Sequence, residues 1–199
     1  RQALNYGFDR SATVNAVNPG YKAYNRLVDS NFAGPGGGKF VDEYPVEAAP
    51  LSGDVERAKE YLAAAMEELG YSDVSQLPQL ELITWDTSEQ KLLLETIIDQ
   101  WKQNLGLENI QLTQYVIGTA IGSFYDLSYD LFSITWETDV LPTDIMEAMV
   151  TGGEVNYGIW SDAQFDALVE QAINELDPVK QAELTAQAEQ IFLDNAAIL

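Results

Sequence analysis

The chain has 199 residues and a mass of 22.0 kDa, and 46% of its residues are hydrophobic, so it is long enough to bury a core. Its 10 Lys and Arg stand against 32 Asp and Glu, and the resulting net charge of −22 argues against nucleic acid or an anionic membrane surface as a partner, because both require a basic face. The sequence contains no cysteine and no histidine, which excludes disulfides, thiolate catalysis and most transition-metal sites.

The N-terminal part of the sequence combines a helix pair with a long irregular region. The segments "RQALNYGF" and "DRSATVNAV" have the pattern of two short helices, with Asp9 as the N-cap of the second and Pro19 and Gly20 after its end. From Gly20 to Gly53, glycine, proline and tyrosine are frequent and no period persists, so we predict either an extended, ordered loop or a flexible surface excursion. Within this loop-rich insertion we expect residues 34–38 to be mobile.

A helix and then a strand–helix–strand unit are predicted after the insertion. Apolar residues spaced by three and four between the N-cap Asp54 and Gly70 predict one helix face, formed by Val55, Ala58, Leu62, Ala65, Met66 and Leu69. The segments "QLELITW" and "NIQLTQY" have strand composition. Between them, Thr87 or Ser88 caps a helix that ends before Gly106 and has one face formed by Leu94, Ile97, Ile98, Trp101 and Leu105. This succession predicts two parallel strands joined by a right-handed crossover.

The C-terminal part is predicted to add one strand and further helices. A short helical or turn segment with "GTAIGSFYD" precedes a third strand, "YDLFSITW", and a helix-like tail, "PTDIMEAM". Asp177 caps the last helix, which has Pro178 in its first turn. Ser161 caps the helix before it, whose predicted buried face holds Phe165, Leu168, Val169, Ala172, Ile173 and Leu176. The order of elements predicts an α/β fold with a mostly parallel sheet and helices on both faces.

Aromatic and acidic residues follow the predicted strands at their carboxyl ends. Trp136, Glu137 and Asp139 come directly after the third strand, and Trp85 ends the first. Ligands of parallel sheets bind beyond the carboxyl ends of the strands, so we predict that these four residues lie at a ligand cleft. Two other interpretations stay open: Trp136 covers the core, and Asp139 only helps the following helix to begin.

No catalytic or metal-binding residues are predicted. Glu137 and Asp139 form a carboxylate pair of the kind used in glycoside hydrolysis, but two acids on one extended stretch do not by themselves face a substrate. The segment "GPGGGKF" departs from a phosphate-binding loop, because Ala33 and Phe40 replace required residues and no strand precedes it. No segment has the ligand spacing of a calcium loop. We therefore expect no cofactor, no metal and a binding protein rather than an enzyme.

Five segments, in order, resemble one protein family over nearly the whole chain. They are "RQALNYGFDRSATVNAV", "DVERAKEYLAAAMEELGY", "YDLFSITWETDVLPTDIMEAM", "NYGIWSDAQFDALVEQA" and "PVKQAELTAQAEQIFLDNAAIL". The sequence resembles the C-terminal lobe of the extracytoplasmic solute-binding proteins, family 5, that serve oligopeptide and dipeptide ABC importers. The resemblance implies a periplasmic-binding-protein-like lobe over residues 1–199, as a fragment of a longer protein with two lobes.

The resemblance also implies a ligand. In this family a Trp, two residues, an Asp, an aromatic residue and then a proline follow the equivalent strand, and the Asp binds the free amino group of a peptide. The matching positions here are Trp136 and Asp139. Val140 stands where the family has the aromatic residue, and the proline comes one residue early, so Glu137 and Asp144 are alternative anchors.

The implied partners are a peptide ligand and the permease subunits of an ABC importer, to which the two lobes deliver the peptide after closing on it. The implied location is extracytoplasmic, in the periplasm or at the outer face of the cell membrane. Membrane association is expected only through the permease or through a lipid anchor outside this fragment. Three alternatives stay open: the same receptor fold binding an oligosaccharide or another small solute, a carboxylate-dependent hydrolase, and a structural surface domain without a cleft ligand.

Overall fold

The computed structural model of the chain describes residues 1–135 and 141–199. The predicted site residues Trp136, Glu137 and Asp139 therefore lie outside the described residues. The elements, in chain order, are α1 Gln2–Tyr6, α2 Arg10–Val17, α3 Phe40–Glu43, α4 Val55–Leu69, a 3₁₀ turn Val74–Gln76, β1 Leu80–Trp85, α5 Ser88–Leu105, β2 Ile110–Tyr115, α6 Ile117–Asp126, β3 Leu131–Phe132, α7 Pro142–Ala148, α8 Ala163–Asn174 and α9 Pro178–Asp194.

The chain divides into two compact units. The first consists of residues 1–24 and 49–135 and contains the sheet together with α1, α2, α4, α5 and α6. The second consists of residues 25–48 and of the segment from 136 to the C-terminus, and its described part contains α3, α7, α8 and α9. Most of the loop-rich insertion predicted for residues 20–53 thus belongs to the second unit. The assignment of residues 1–199 to one lobe stays a prediction.

Local hydrogen bonds place most helix ends where the sequence predicts them. The carboxylates of Asp9, Asp54 and Asp177 accept backbone N–H groups in the first turns of α2, α4 and α9, and the Thr87 hydroxyl does the same for α5. Gly70 ends α4 with a φ of 72°, a left-handed conformation that costs a residue with a Cβ atom about 1–2 kcal/mol. The capping predictions for these helices are confirmed.

The N-cap of α8 differs from the prediction. Asp162 caps this helix, because its Oδ1 accepts the N–H groups of Gln164 and Phe165, both at 2.9 Å. The Ser161 hydroxyl instead accepts a hydrogen bond from Thr151 Oγ1 at 2.9 Å. Hydrogen bonds to a carboxylate are stronger than those to a neutral hydroxyl, so the helix begins after the acid rather than after the serine. The prediction of Ser161 as the cap is wrong.

Within the described residues, the sheet has three parallel strands in the order β2-β1-β3. All six residues of β1 pair in register with the six residues of β2. Leu82, Ile83 and Thr84 are at most 3% exposed. Because successive side chains of a strand point to opposite faces, both faces of β1 are covered. Helices α5 and α6 pack against the strands, and the predicted α/β class, with a parallel sheet flanked by helices, is confirmed.

Strand β3 is shorter than predicted from "YDLFSITW", since it contains only Leu131 and Phe132. The Ser133 N–H still donates to the Ile83 carbonyl at 3.0 Å. The Ser133 carbonyl, however, accepts from the Thr84 hydroxyl at 3.1 Å. A side chain of β1 therefore takes the place of a backbone donor, and the backbone ladder ends there.

Each unit has its own hydrophobic core, with aromatic residues at its centre. In the first unit, Trp101 is 3% exposed and meets Phe8 edge to face, with ring centroids 6.0 Å apart. In the second unit, Phe165 and Phe192 are fully buried, and the Trp160 ring meets both at centroid distances of 4.8 and 5.2 Å. Such aromatic contacts add to the stabilisation that comes from area burial alone.

Two residues predicted to be buried, Ile173 and Leu176, and one predicted on the apolar face of α4, Leu69, are exposed. Leu69 is 59% exposed, Ile173 is 41% exposed and Leu176 is 95% exposed. Leu69 is the last residue of α4, Ile173 lies one residue before the end of α8, and Leu176 follows that helix. The apolar period in the sequence continues up to and past these helix ends, whereas the contacts with the core do not.

The glycine-rich segment of the insertion is organised around one carboxylate. The N–H groups of Gly36 and Gly38 donate to Glu43 Oε2 and Oε1 at 2.8 and 2.6 Å. A Cβ atom at Gly34 would come within 3 Å of the same carboxylate, so a larger residue there would displace the Glu43 side chain. Residues 34–38, predicted to be mobile, thus have a specific hydrogen-bonded conformation, which favours the ordered alternative for the insertion.

Candidate functional site

An open groove lies at the carboxyl ends of the three strands, within the first unit. The chain leaves the central β1 for β2 on one side and reaches β3 on the other, and α/β proteins bind ligands at the strand ends of this arrangement. The groove has a volume of about 1230 Å³, which exceeds the roughly 300–1,000 Å³ of small-molecule pockets. Its sheet side is lined by Trp85, Asp86, Thr87, Val116, Ile117, Ser133, Ile134 and Thr135.

Two further elements complete the lining. They are α2 with the segment after it, and the first turns of α5, which together contribute Val14, Val17, Gly20, Tyr21, Lys22, Glu89, Gln90 and Leu93. Asp86 and Glu89 are exposed carboxylates. Lys22 is the one cation among the described lining residues. The groove therefore offers charges of both signs to a ligand, next to apolar surface.

Trp85 lies where the sequence predicts it, at the carboxyl end of β1 and on the groove. Its ring meets Phe124 of α6 edge to face, with centroids 6.4 Å apart and an interplanar angle of 88°. The indole Nε1 is buried and has no acceptor within residues 1–135 and 141–199. The packing against α6 holds the ring at the groove, and its role in binding a ligand stays a prediction.

Hydrogen bonds between elements hold the ends of β1 and β2 together. The Asp86 N–H donates to the Tyr115 carbonyl at 2.8 Å. The side-chain amide of Gln114 donates to the carbonyls of Trp85 and Thr87 at 3.2 and 3.0 Å. These bonds fix the backbone that carries Trp85 and Asp86 into the groove.

Several polar side chains that organise this groove have no clear signal in the sequence. Gln114 lies inside a predicted strand, where nothing in the local pattern distinguishes it from other polar strand residues. Gln90 stands three residues after Thr87, in the position of a capping box, and this pattern predicts only a local role. The position of Tyr21 in the sequence could have indicated it, because Tyr21 follows the first helix pair and stands next to Lys22.

Tyr21 and Glu89 meet on one side of the groove. The Tyr21 hydroxyl donates to the Glu89 carboxylate, and this bond together with the negative charge of Glu89 raises the pKa of Tyr21 above its ordinary value of 10.0. Because the pKa is raised in the folded protein, the contact contributes stability that is present below pH 10.0 and is lost as the pH rises through the raised pKa.

We expect Tyr21 to titrate above pH 10.0 in NMR spectra of tyrosine-labelled protein. Glu89→Gln removes the negative charge that disfavours the phenolate, so this variant should move the Tyr21 pKa back toward the ordinary value. The signal is assigned with Tyr21→Phe, in which it disappears. A Tyr21 signal that titrates at or below the ordinary value in the unmodified protein would contradict the contact with Glu89.

The other candidate site residues are three near the end of β3 and the alternative anchor Asp144. Trp136, Glu137 and Asp139 lie outside the described residues, and Thr135, which precedes them, lines the groove. Asp144 is in the first turn of α7, and its Oδ2 accepts the Leu141 N–H at 2.8 Å. Asp144 therefore stabilises the start of a helix, which is the local role that stays open for Asp139.

Neither a metal centre nor a membrane span is found in the part of the chain that the structure describes. Residues 1–135 and 141–199 bring no three acidic side chains together in an arrangement that could hold a metal ion. In the same ranges, no helix combines the length and the hydropathy that crossing a membrane requires.

The sequence and the fold of this chain both match known proteins. The chain is 28% identical to the oligopeptide-binding protein OppA of Bacillus subtilis (strain 168) over 201 residues, which cover 100% of this chain and 35% of that protein. It is 27% identical to the dipeptide-binding protein DppE of the same organism over 144 residues, which cover 72% of this chain and 26% of that protein. The chain thus spans about a quarter to a third of the length of these curated relatives.

A solved structure supports the same fold. OppA of Listeria monocytogenes, bound to peptide, matches this chain with a TM-score of 0.83 and 24% identity, over 98% of this chain and 37% of that one. The proteins matched here are named as binding proteins, not as enzymes. The model of the bacterial extracellular solute-binding proteins, family 5 (middle), matches residues 1–157. This match covers most of the sequence, and the chain belongs to the bacterial extracellular solute-binding proteins, family 5.

Proposed function

We propose that this chain is part of the ligand-binding lobe of a receptor that binds short peptides and delivers them to an ABC importer. The observation that carries the proposal is the groove at the carboxyl ends of three parallel strands, in a chain of this family. The relatives OppA and DppE are named for binding oligopeptides and dipeptides, which supports peptides as the ligand class. In this proposal the lobe comprises residues 1–199.

The lining of the groove suits a peptide. Trp85, Val116 and Ile117 offer apolar surface, while Lys22 and Asp86 offer opposite charges for polar and terminal groups. A peptide in extended conformation is held mainly through its backbone, and water fills the space around its side chains. Binding that tolerates many peptide sequences follows from this arrangement.

Asp139 is the proposed anchor for the free amino group of the peptide. Trp136, Glu137 and Trp85 are proposed as further ligand contacts. The position of Thr135 on the groove supports this assignment, because the chain continues from there directly into Trp136. A carboxylate in a cleft that closes and loses water pairs strongly with an ammonium group.

The second proposed partner is the permease of the importer, which receives the peptide from the receptor. The proposed location is extracytoplasmic, with attachment to the membrane only through the permease or a lipid anchor outside this chain. The receptor has no catalytic activity in this proposal, and closing of the two lobes on the ligand is its whole mechanism.

One alternative ligand class is favoured by a specific observation. The rings of Trp85 and Tyr21 both line the groove, and aromatic faces stack on sugar rings. An oligosaccharide is therefore the second candidate for the same site, with the same receptor mechanism.

Mass spectrometry of the purified full-length protein tests the proposal. We expect gentle purification followed by denaturation to release a mixture of short peptides, and we expect those peptides to raise the melting temperature of protein that has been stripped of ligand. Recovery of oligosaccharides instead of peptides would support the alternative. A protein that releases no small molecule, and that neither peptides nor oligosaccharides stabilise, would contradict both.

A further inference from the structure

One glutamine side chain joins the ends of two strands at the groove. Gln90 Nε2 donates to Thr135 Oγ1 at 3.2 Å, and Gln90 Oε1 accepts from Ser133 Oγ at 3.1 Å. The fully buried Thr84 hydroxyl lies 3.5 Å from the same Oε1 and donates to the Ser133 carbonyl at 3.1 Å. The side chain of α5 thus contacts both hydroxyl groups of residues 133–135.

These contacts are not required by the helix to which Gln90 belongs. In a capping box, a glutamine in this position accepts the N–H of the N-cap residue, which here is Thr87. The Thr87 N–H donates instead to the Trp85 carbonyl at 2.9 Å. Thr87 Oγ1 accepts the Gln90 N–H at 3.2 Å, so the cap forms without the Gln90 side chain. That side chain is therefore available for another element.

The segment that Gln90 contacts has little other support. Strand β3 ends at Phe132, and the Ser133 N–H makes the last backbone hydrogen bond to β1 that the structure describes. Residues 133–135 line the groove and continue directly into Trp136. Side-chain hydrogen bonds from α5 and β1 consequently take over where the backbone ladder stops.

We propose that Gln90 is a positioning residue of the ligand site. It holds residues 133–135 in the conformation that ligand binding requires. This inference rests on the proposed function, because it concerns the same site. It adds a residue that acts through residues 133–135 rather than by touching the amino group of the ligand.

Gln100 of α5 provides a matched control. Its Oε1 accepts the Asp9 N–H at 2.7 Å, and its Nε2 donates to Thr13 Oγ1 at 2.7 Å, so it also makes two side-chain hydrogen bonds to another element. Gln100 is not among the described residues that line the groove. Gln90→Leu therefore removes side-chain hydrogen bonds at the groove, and Gln100→Leu removes two such bonds elsewhere on the same helix.

Two measurements on the full-length protein test the inference. The first is hydrogen exchange of residues 133–135 without ligand, and the second is thermal-shift titration with a random pool of tripeptides to pentapeptides. For Gln90→Leu we expect about tenfold faster exchange at the Ser133 amide and a roughly tenfold higher half-saturating concentration of the pool. Gln90→Glu still accepts hydrogen bonds from both hydroxyl groups and should restore both values. Gln100→Leu should leave both unchanged even where it lowers the melting temperature.

If residues 133–135 exchange hydrogen at the same rate in Gln90→Leu as in the unmodified protein, the inference is overturned. It is also overturned if exchange is faster in the variant but binding of the peptide pool is unchanged. Equal effects of Gln100→Leu and Gln90→Leu on binding overturn it too, since general destabilisation would then explain both. If the unmodified protein does not bind the pool, the proposed peptide function fails. The exchange rates of the three variants still decide in that case whether Gln90 holds residues 133–135.

Discussion

Replacing Glu189 by alanine is expected to lower the free energy of unfolding by about 3–5 kcal/mol. Glu189 is fully buried in the second unit, and its Oε2 lies 2.5 Å from the guanidinium of Arg26, whose side chain is 10% exposed. Its Oε1 also accepts the N–H groups of Leu27 and Val28, both at 2.9 Å. The variant therefore removes the counter-charge of a buried cation and the carboxylate that accepts two backbone N–H groups.

The backbone bonds make this ion pair different from an isolated one. A buried pair can often be replaced by two apolar residues at little cost, because both charges then disappear together. In the double variant Arg26→Met with Glu189→Leu, the N–H groups of Leu27 and Val28 would still lose their acceptor, at about 1–3 kcal/mol each. We expect the double variant to remain clearly less stable than the unmodified protein.

Urea denaturation of the full-length protein measures these effects, with Glu183→Ala as the control. Glu183 lies on the same helix, α9, and is exposed, so its replacement should change the free energy of unfolding by no more than about 0.5 kcal/mol. If Glu189→Ala matches Glu183→Ala, the buried contacts contribute nothing measurable. Full recovery of stability in the double variant would show that the backbone hydrogen bonds are dispensable.

The parts of the fold that were predictable from the sequence depend on neighbours within a few residues. Asp54 and Gly70 delimit α4 through hydrogen bonds to residues within one turn of the helix. Both ends of α4 are therefore determined by the local sequence. Glu189 and Arg26 are 163 positions apart, and an acid on an amphipathic helix is ordinarily exposed, so no local pattern indicates that Glu189 is buried. The short length of β3 was not predictable for the same reason, because the Thr84 hydroxyl that ends the ladder lies 49 positions from Ser133.

The candidate site also has a part that was predictable from the local sequence and a part that was not. Trp85 was predictable, because a strand pattern ends at it and ligands bind at the carboxyl ends of parallel strands. The contacts of Gln90 with residues 133–135 were not, because the same residue fits a capping box and its actual partners lie more than 40 positions away. A single sequence shows which strand ends carry suitable residues, but not which distant side chains hold those ends in place.

Asp139→Ala is expected to weaken the binding of peptides to the full-length protein by about 2–5 kcal/mol, if Asp139 is the anchor that we propose. The reason is that the variant leaves the ammonium group of the peptide without a counter-charge in a cleft that has lost water. Glu137→Gln should have a smaller effect. Asp144→Ala should lower stability rather than affinity, because it removes the acceptor of the Leu141 N–H at the start of α7.

Acetylation of the peptide provides the decisive comparison, because it removes the positive charge from the ligand instead of the negative charge from the protein. Isothermal titration of the same tripeptide, with a free and with an acetylated amino group, against the unmodified protein and Asp139→Ala forms a double-mutant cycle. If Asp139 binds the amino group, acetylation weakens binding to the unmodified protein and has little further effect on the variant. If acetylation weakens binding equally in both, the amino group is bound elsewhere, and the same cycle with Glu137→Gln tests the nearest other acid.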